Sequence, residues 1–67
     1  MTINQKVAAI LEVAFSTREL TFGLRNLILA DAAKAAGLKL WNTGHGKNGD
    51  IIHFELCSGR RTLVCFQ

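Results

Sequence analysis

The stretch "LILADAAKAAGLKLW", residues 27–41, carries the change of period on which the fold turns. Its first ten residues read as a helix that Asn26 can cap and that stops at Gly37, a residue suited to the left-handed C′ position. From Leu38 the period becomes two. Leu38 and Leu40 fall on one face of a short strand.

Towards the N-terminus the helical pattern continues. Ile3, Val7, Ile10, Leu11, Ala14 and Phe15 recur at helical spacing, with Lys6 and Glu12 between them. "STRE", residues 16–19, has the form of a capping box in which Ser16 caps and Glu19 reaches back. That places a further helix through Leu20 and Phe22 towards Leu24, weakened by Gly23. This pattern predicts two or three N-terminal helices, according to whether the segments around Leu24 and Leu29 are separate or one bent helix.

Towards the C-terminus, "DIIHFEL" sets Ile52, Phe54 and Leu56 against His53 and Glu55, which suits a sheet packed on helices from one side only. "CSGRR" reads as a turn and "TLVCF" as a last strand. The expected architecture is α+β, winged-helix-like: N-terminal helices on one face of a small three-stranded antiparallel sheet, in a single domain over residues 1–67.

Sixty-seven residues bury only about 60% of their unfolded surface, so stability is marginal unless the chain is stapled or self-associates as a homodimer. "MTINQKVAA" has no secretory h-region, and no apolar run reaches the roughly 20 residues of a membrane span. A reducing cytoplasmic compartment is expected, with Cys57 and Cys65 as small buried hydrophobes. The net charge of +3 permits weak, non-specific contact with nucleic acid, or contact with an acidic protein surface, but requires neither.

The loop "NTGHGKNGD", residues 42–50, is the most glycine-rich stretch. It lacks GK[ST] and precedes a strand, so it is no P-loop and no cofactor site follows from it. Asn48–Gly49 is a type I′ turn signal, and Lys47 would ride on the tip of the resulting wing. His45 and His53 fit neither a metal site, which needs three or four convergent ligands, nor a nucleophile with base and orienting group. Arg60 and Arg61 form a basic pair in the last turn that could bind phosphate or carboxylate. Trp41, the only tryptophan, is either a lid on the core or an exposed partner anchor.

Two resemblances bear on function. "LRNLILADAAKAAG … GHGKNGDIIHFELCSGRRTLV" resembles small phage-encoded helix-turn-helix-like inhibitors of bacterial RNA polymerase. The matching features are "LRN", the Ala-rich "ADAAKA", the Gly-Lys-Asn-Gly tip and "FEL" followed by a Ser-Gly turn. That resemblance implies a non-catalytic binder, with Arg25, Lys34 and Lys47 as contact candidates. "AAGLKL" is similar to the helix end and first strand, and "GRRTLV" to the third strand, of HicA-type RNA-cleaving toxins with their double-stranded-RNA-binding-like fold. Those toxins carry Gly-Ser-His at the start of the second strand; here "GDIIH" lacks the serine and sets His53 out of register.

The expected function is binding without catalysis: a phage or mobile-element protein that acts in the host cytoplasm against a host protein complex. RNA polymerase is the first candidate and a CRISPR effector, making the protein an anti-CRISPR, the second. The other readings are a DNA-binding winged-helix regulator, against which "ILADAAKAA" offers few base-reading side chains, and a HicA-like RNA-binding toxin. The expected partner-binding residues are Arg25, Lys34, Trp41, Lys47, Arg60 and Arg61, with no catalytic, cofactor or metal residues.

Overall fold

A computed structural model describes the backbone of residues 1–45 and 51–67 and the side chains of residues 1–42 and 53–67. Two helices, α1 (Ile3–Ser16) and α2 (Phe22–Ala35), precede three strands, β1 (Lys39–His45), β2 (Ile51–Ser58) and β3 (Arg61–Phe66). The α+β architecture, helices before strands and packed on a three-stranded antiparallel sheet, is the one expected. Lys47 and the Asn48–Gly49 turn signal lie outside the described residues, as does the side chain of His45.

The capping box sits at the other end of α1 from the one expected. Thr2 Oγ1 accepts from the Gln5 amide (3.2 Å), and Gln5 Oε1 accepts from the Thr2 amide (2.9 Å). Ser16 closes α1 instead of opening a helix. Its hydroxyl donates to the Val13 carbonyl at 3.0 Å, and the buried Thr17 hydroxyl donates to Val13 and Ala14 at 2.8 and 3.3 Å. These bonds satisfy carbonyls that a helix C-terminus leaves without partners. Thr17–Leu20 then forms a turn, closed by the Leu20 amide on the Thr17 carbonyl (3.0 Å).

The two expected C-terminal helical segments are one helix. Gly23 falls in the first turn of α2 and interrupts nothing, and Asn26 is an interior residue, not a cap. Its Oδ1 accepts from Asn42 Nδ2 at 3.1 Å, tying α2 to β1. The end at Gly37 is as expected: φ is +75°, the Gly37 amide donates to Lys34 O, and the Leu38 amide reaches back to Ala33 O at 2.8 Å. This pair of bonds is a Schellman motif, and Leu38 and Ala33 both enter the core behind it.

The sheet is a meander in the order β1-β2-β3. Leu40 pairs with Leu56 and Leu56 with Val64; Asn42 pairs with Phe54 and Phe54 with Phe66. This register puts Phe54, Leu56, Val64 and Phe66 beneath the helices, where they meet Ile10 and Ala14 of α1 and Leu29 and Ala33 of α2. Phe54 stacks between Phe22 and Phe66, with centroids 5.7 and 5.4 Å away. The turn between β2 and β3 is shorter than expected. Only Gly59 and Arg60 lie between the strands, and Arg61 already pairs with Ser58. Gly59 has φ +59°, and no described non-glycine residue has positive φ, the pattern of a type II′ hairpin turn.

Candidate functional site

Because both helices pack on one face of the sheet, alternation leaves the other face without a helix. Among the described residues that face carries Lys39 and Trp41 of β1, His53, Glu55 and Cys57 of β2, and Thr62 and Cys65 of β3. Trp41, directly opposite Glu55 in the register, is 56% exposed, so of the two roles open to it the lid on the core is excluded. Trp41 and Arg60 line one shallow recess with Asn42, Glu55, Cys57 and Thr62. The tight turn at Gly59 carries Arg60 back over the sheet to reach it.

The floor of the recess is ordered by hydrogen bonds. The Thr62 hydroxyl donates to Glu55 Oε1 at 2.6 Å, and the Cys57 thiol lies 3.7 Å from the same oxygen and 4.0 Å from Thr62 Oγ1. Cys57 is therefore buried at the foot of the uncovered face. Cys65, expected to be buried, is exposed on it, beside Glu55 in the register. The cause is a β-bulge. Cys57 pairs with Thr62 and Leu56 with Val64, leaving Leu63 unpaired, so that Val64 and Phe66 turn inward and Cys65 outward.

Of the remaining expected contact residues, Arg25, Lys34 and Arg61 do not join this recess. Arg61, next to Arg60 in sequence, lines a separate cleft with Ile3, Asn4, Val7 and Leu63 between the start of α1 and the last hairpin. Lys34 is exposed in the last turn of α2, where its charge complements the helix dipole. Arg25 is half-buried and committed to contacts within the chain. Its guanidinium donates to Ala14 O and to Gln67 O, both at 2.8 Å, and lies over the Phe54 ring. It closes the end of α1 against the end of β3, a task no local pattern around residue 25 announces.

His53 is exposed on the uncovered face, two residues from the Glu55 held by Thr62. Among the described residues, no three of His, Cys, Asp and Glu converge as metal ligands would, and no helix is long and apolar enough to cross a membrane. The arrangement offers an aromatic and basic surface: an indole sharing its recess with Arg60, with Lys39 two residues before it on the same strand face, over a floor whose carboxylate already has a donor. Comparisons of the chain with protein-family models, curated proteins and solved structures found no match.

Proposed function

We propose that the protein works by binding: a small inhibitor, of phage or mobile-element origin, that docks on a host macromolecular machine in the bacterial cytoplasm through the uncovered sheet face. One observation carries the reading. Trp41 stands 56% exposed beside Arg60 on a sheet face, where a large apolar ring in water has no use to the fold itself. Tryptophan and arginine are the residues that most often dominate binding energy at protein interfaces. Lys39 and Arg60 favour a partner surface with an apolar slot for the indole and an acidic rim. Bacterial RNA polymerase is the first candidate, through the resemblance of this chain to its small phage inhibitors; a CRISPR effector complex would be engaged by the same logic.

The DNA-regulator reading has less support. A recognition helix must offer hydrogen-bonding side chains to base edges, and the outward face of α2 offers Leu24, Leu27 and Ile28. The RNA-cleaving reading needs a base and an orienter around His53, and Glu55, its neighbour on that face, is bonded to Thr62.

The deciding experiment measures binding to purified RNA polymerase holoenzyme and inhibition of a single-round transcript. The wild type should bind and inhibit. Trp41→Ala should keep its circular dichroism spectrum and lose at least about thirtyfold in affinity. If the wild type leaves transcription unaffected, the polymerase assignment fails. Binding that Trp41→Ala leaves intact removes the sheet face as the docking surface.

A further inference from the structure

The helix α2 is apolar on both sides. Its inward side buries Leu29 and Ala33. Its outward side carries Leu24, Leu27 and Ile28, 53%, 68% and 41% exposed, continued by Leu20 from the preceding turn at 42%. Positions 24, 27, 28, 31 and 35 of α2 fall on one helical stripe, and only Asp31 among them is charged. Contiguous apolar side chains turned to water mark a contact surface more often than a solvated face. Nothing in the chain's own described packing covers this stripe.

We infer that the outward stripe of α2 is a homodimer interface, in which α2 of a second copy packs antiparallel across a two-fold axis at the level of Leu27 and Ile28. The surface is self-complementary, which a two-fold interface requires. The four exposed side chains present roughly 400 Å² of apolar area per copy, at the scale of the largest patch on an ordinary monomer. Doubled, and widened by the flanking Gly23, Asp31 and Ala35, the interface reaches the roughly 1,000 Å² that specific association needs.

Charge selects the direction. In a parallel pair the two Asp31 carboxylates would face one another. In the antiparallel pair they sit about 10 Å apart along the axis, near one Debye length. The same pairing opposes the two helix dipoles. The small core supplies a further reason: with Leu29 and Leu56 the only large side chains fully buried among the described residues, the monomer gains from any additional apolar burial. This inference uses a different face from Trp41 and Arg60 and does not depend on what they bind.

Sedimentation velocity from about 1 µM to about 500 µM tests it. The wild-type mass should rise from 7.3 kDa towards twice that value, and Leu27→Glu/Ile28→Glu should stay at 7.3 kDa with its circular dichroism spectrum unchanged. A wild type that remains at 7.3 kDa throughout overturns the proposal and assigns the stripe to a different protein. Dimerisation that persists in a folded double variant overturns it too, because another face is then responsible. Should the double variant unfold, Cys65→Ser/Leu27→Cys decides. Cross-linking of its chains by a short bismaleimide supports the proposal, provided that Cys65→Ser/Phe15→Cys, exposed on the other helix, is not cross-linked. Failure of Leu27→Cys to cross-link, or equal cross-linking of both, overturns it.

Discussion

The guanidinium of Arg25 lies 5.1 Å over the ring centroid of Phe54, and from there it donates to Ala14 O and Gln67 O. One side chain thus joins the end of α1, the middle of β2 and the end of β3. Its Nε is buried and has no hydrogen-bond partner among the described residues, a cost the two charge-assisted bonds outweigh. Arg25→Met should therefore destabilise the protein by about 2 kcal/mol, lowering the melting temperature by roughly 10 °C for a domain of this size. Arg25→Lys should fall in between, because an ammonium on a shorter stem keeps the charge but has no planar face to lay over Phe54. Thermal unfolding followed by circular dichroism reads the order. Were Arg25 a partner contact and no clamp, both variants would melt like the wild type.

Two glycines of the helical half should respond oppositely to alanine. Gly37 holds φ +75°, which an L side chain adopts only under strain, while Gly23 lies inside a helix where a Cβ would meet nothing within 4 Å among the described residues. Gly37→Ala should cost about 1 kcal/mol, and Gly23→Ala should add a few tenths to about 1 kcal/mol. Urea midpoints at one low protein concentration check the signs, and shifts in the same direction would contradict this account of α2.

How far the sequence was legible follows from the same elements. Gly37 could be read because an apolar helical run ended on the residue type a left-handed position favours. Phe54 and Leu56 could be read because charged or polar neighbours alternate with them. By contrast, β3 reads Leu63-Val64-Cys65-Phe66, apolar throughout, so no alternation revealed the bulge that turns Cys65 outward. The extent of α2 was obscured because apolar residues on both sides erase the helical period. Ser16 misled because a hydroxyl caps either end of a helix, and which end depends on where the chain turns next. Of the recess, Trp41 and Arg60 were individually visible as residue types; their meeting depends on strand register and on a turn two residues long.

The two thiols should differ in reactivity. Cys57 pairs with Thr62 and Cys65 with Glu55, so the two cysteines are not opposite one another in the register, and a bridge would need the ladder to shift. Cys65 is exposed and Cys57 buried beneath Glu55 and Thr62. An aromatic disulfide reagent should label one thiol per folded chain quickly and the second only with unfolding. Equal fast labelling of both, or a non-reduced mass two hydrogens light, would contradict the register of β3.

Leu29 and Leu27 should separate folding from association. Leu29 is fully buried between α1 and the sheet, whereas Leu27, two positions earlier, is 68% exposed. Leu29→Ala leaves a cavity and should cost about 2–5 kcal/mol, enough to unfold much of a domain this small. Leu27→Ala removes no core contact, so at low concentration its urea midpoint should match the wild type. A large loss from Leu27→Ala at low concentration would place that side chain in the monomer's core.

Arg60 and Arg61 are neighbours in sequence but serve different surfaces. Arg60 shares a recess with Trp41 on the uncovered sheet face, and Arg61 lies in the cleft beside Ile3 and Val7. Both are exposed, and surface substitutions away from caps and core change stability by less than about 0.5 kcal/mol, so reversing either charge should leave the melting temperature nearly unchanged. Binding should tell them apart. If Trp41 and Arg60 form one anchor, Arg60→Glu sets a negative charge against the acidic rim the partner is proposed to have, and affinity should fall roughly thirtyfold or more. Arg61→Glu should change affinity less than about threefold, because its side chain lies outside the recess. Titrating each variant against the same immobilised partner gives the ratio directly. Equal losses would mean that the partner spans the whole last hairpin. A loss confined to Arg61→Glu would move the docking surface to the cleft at the start of α1.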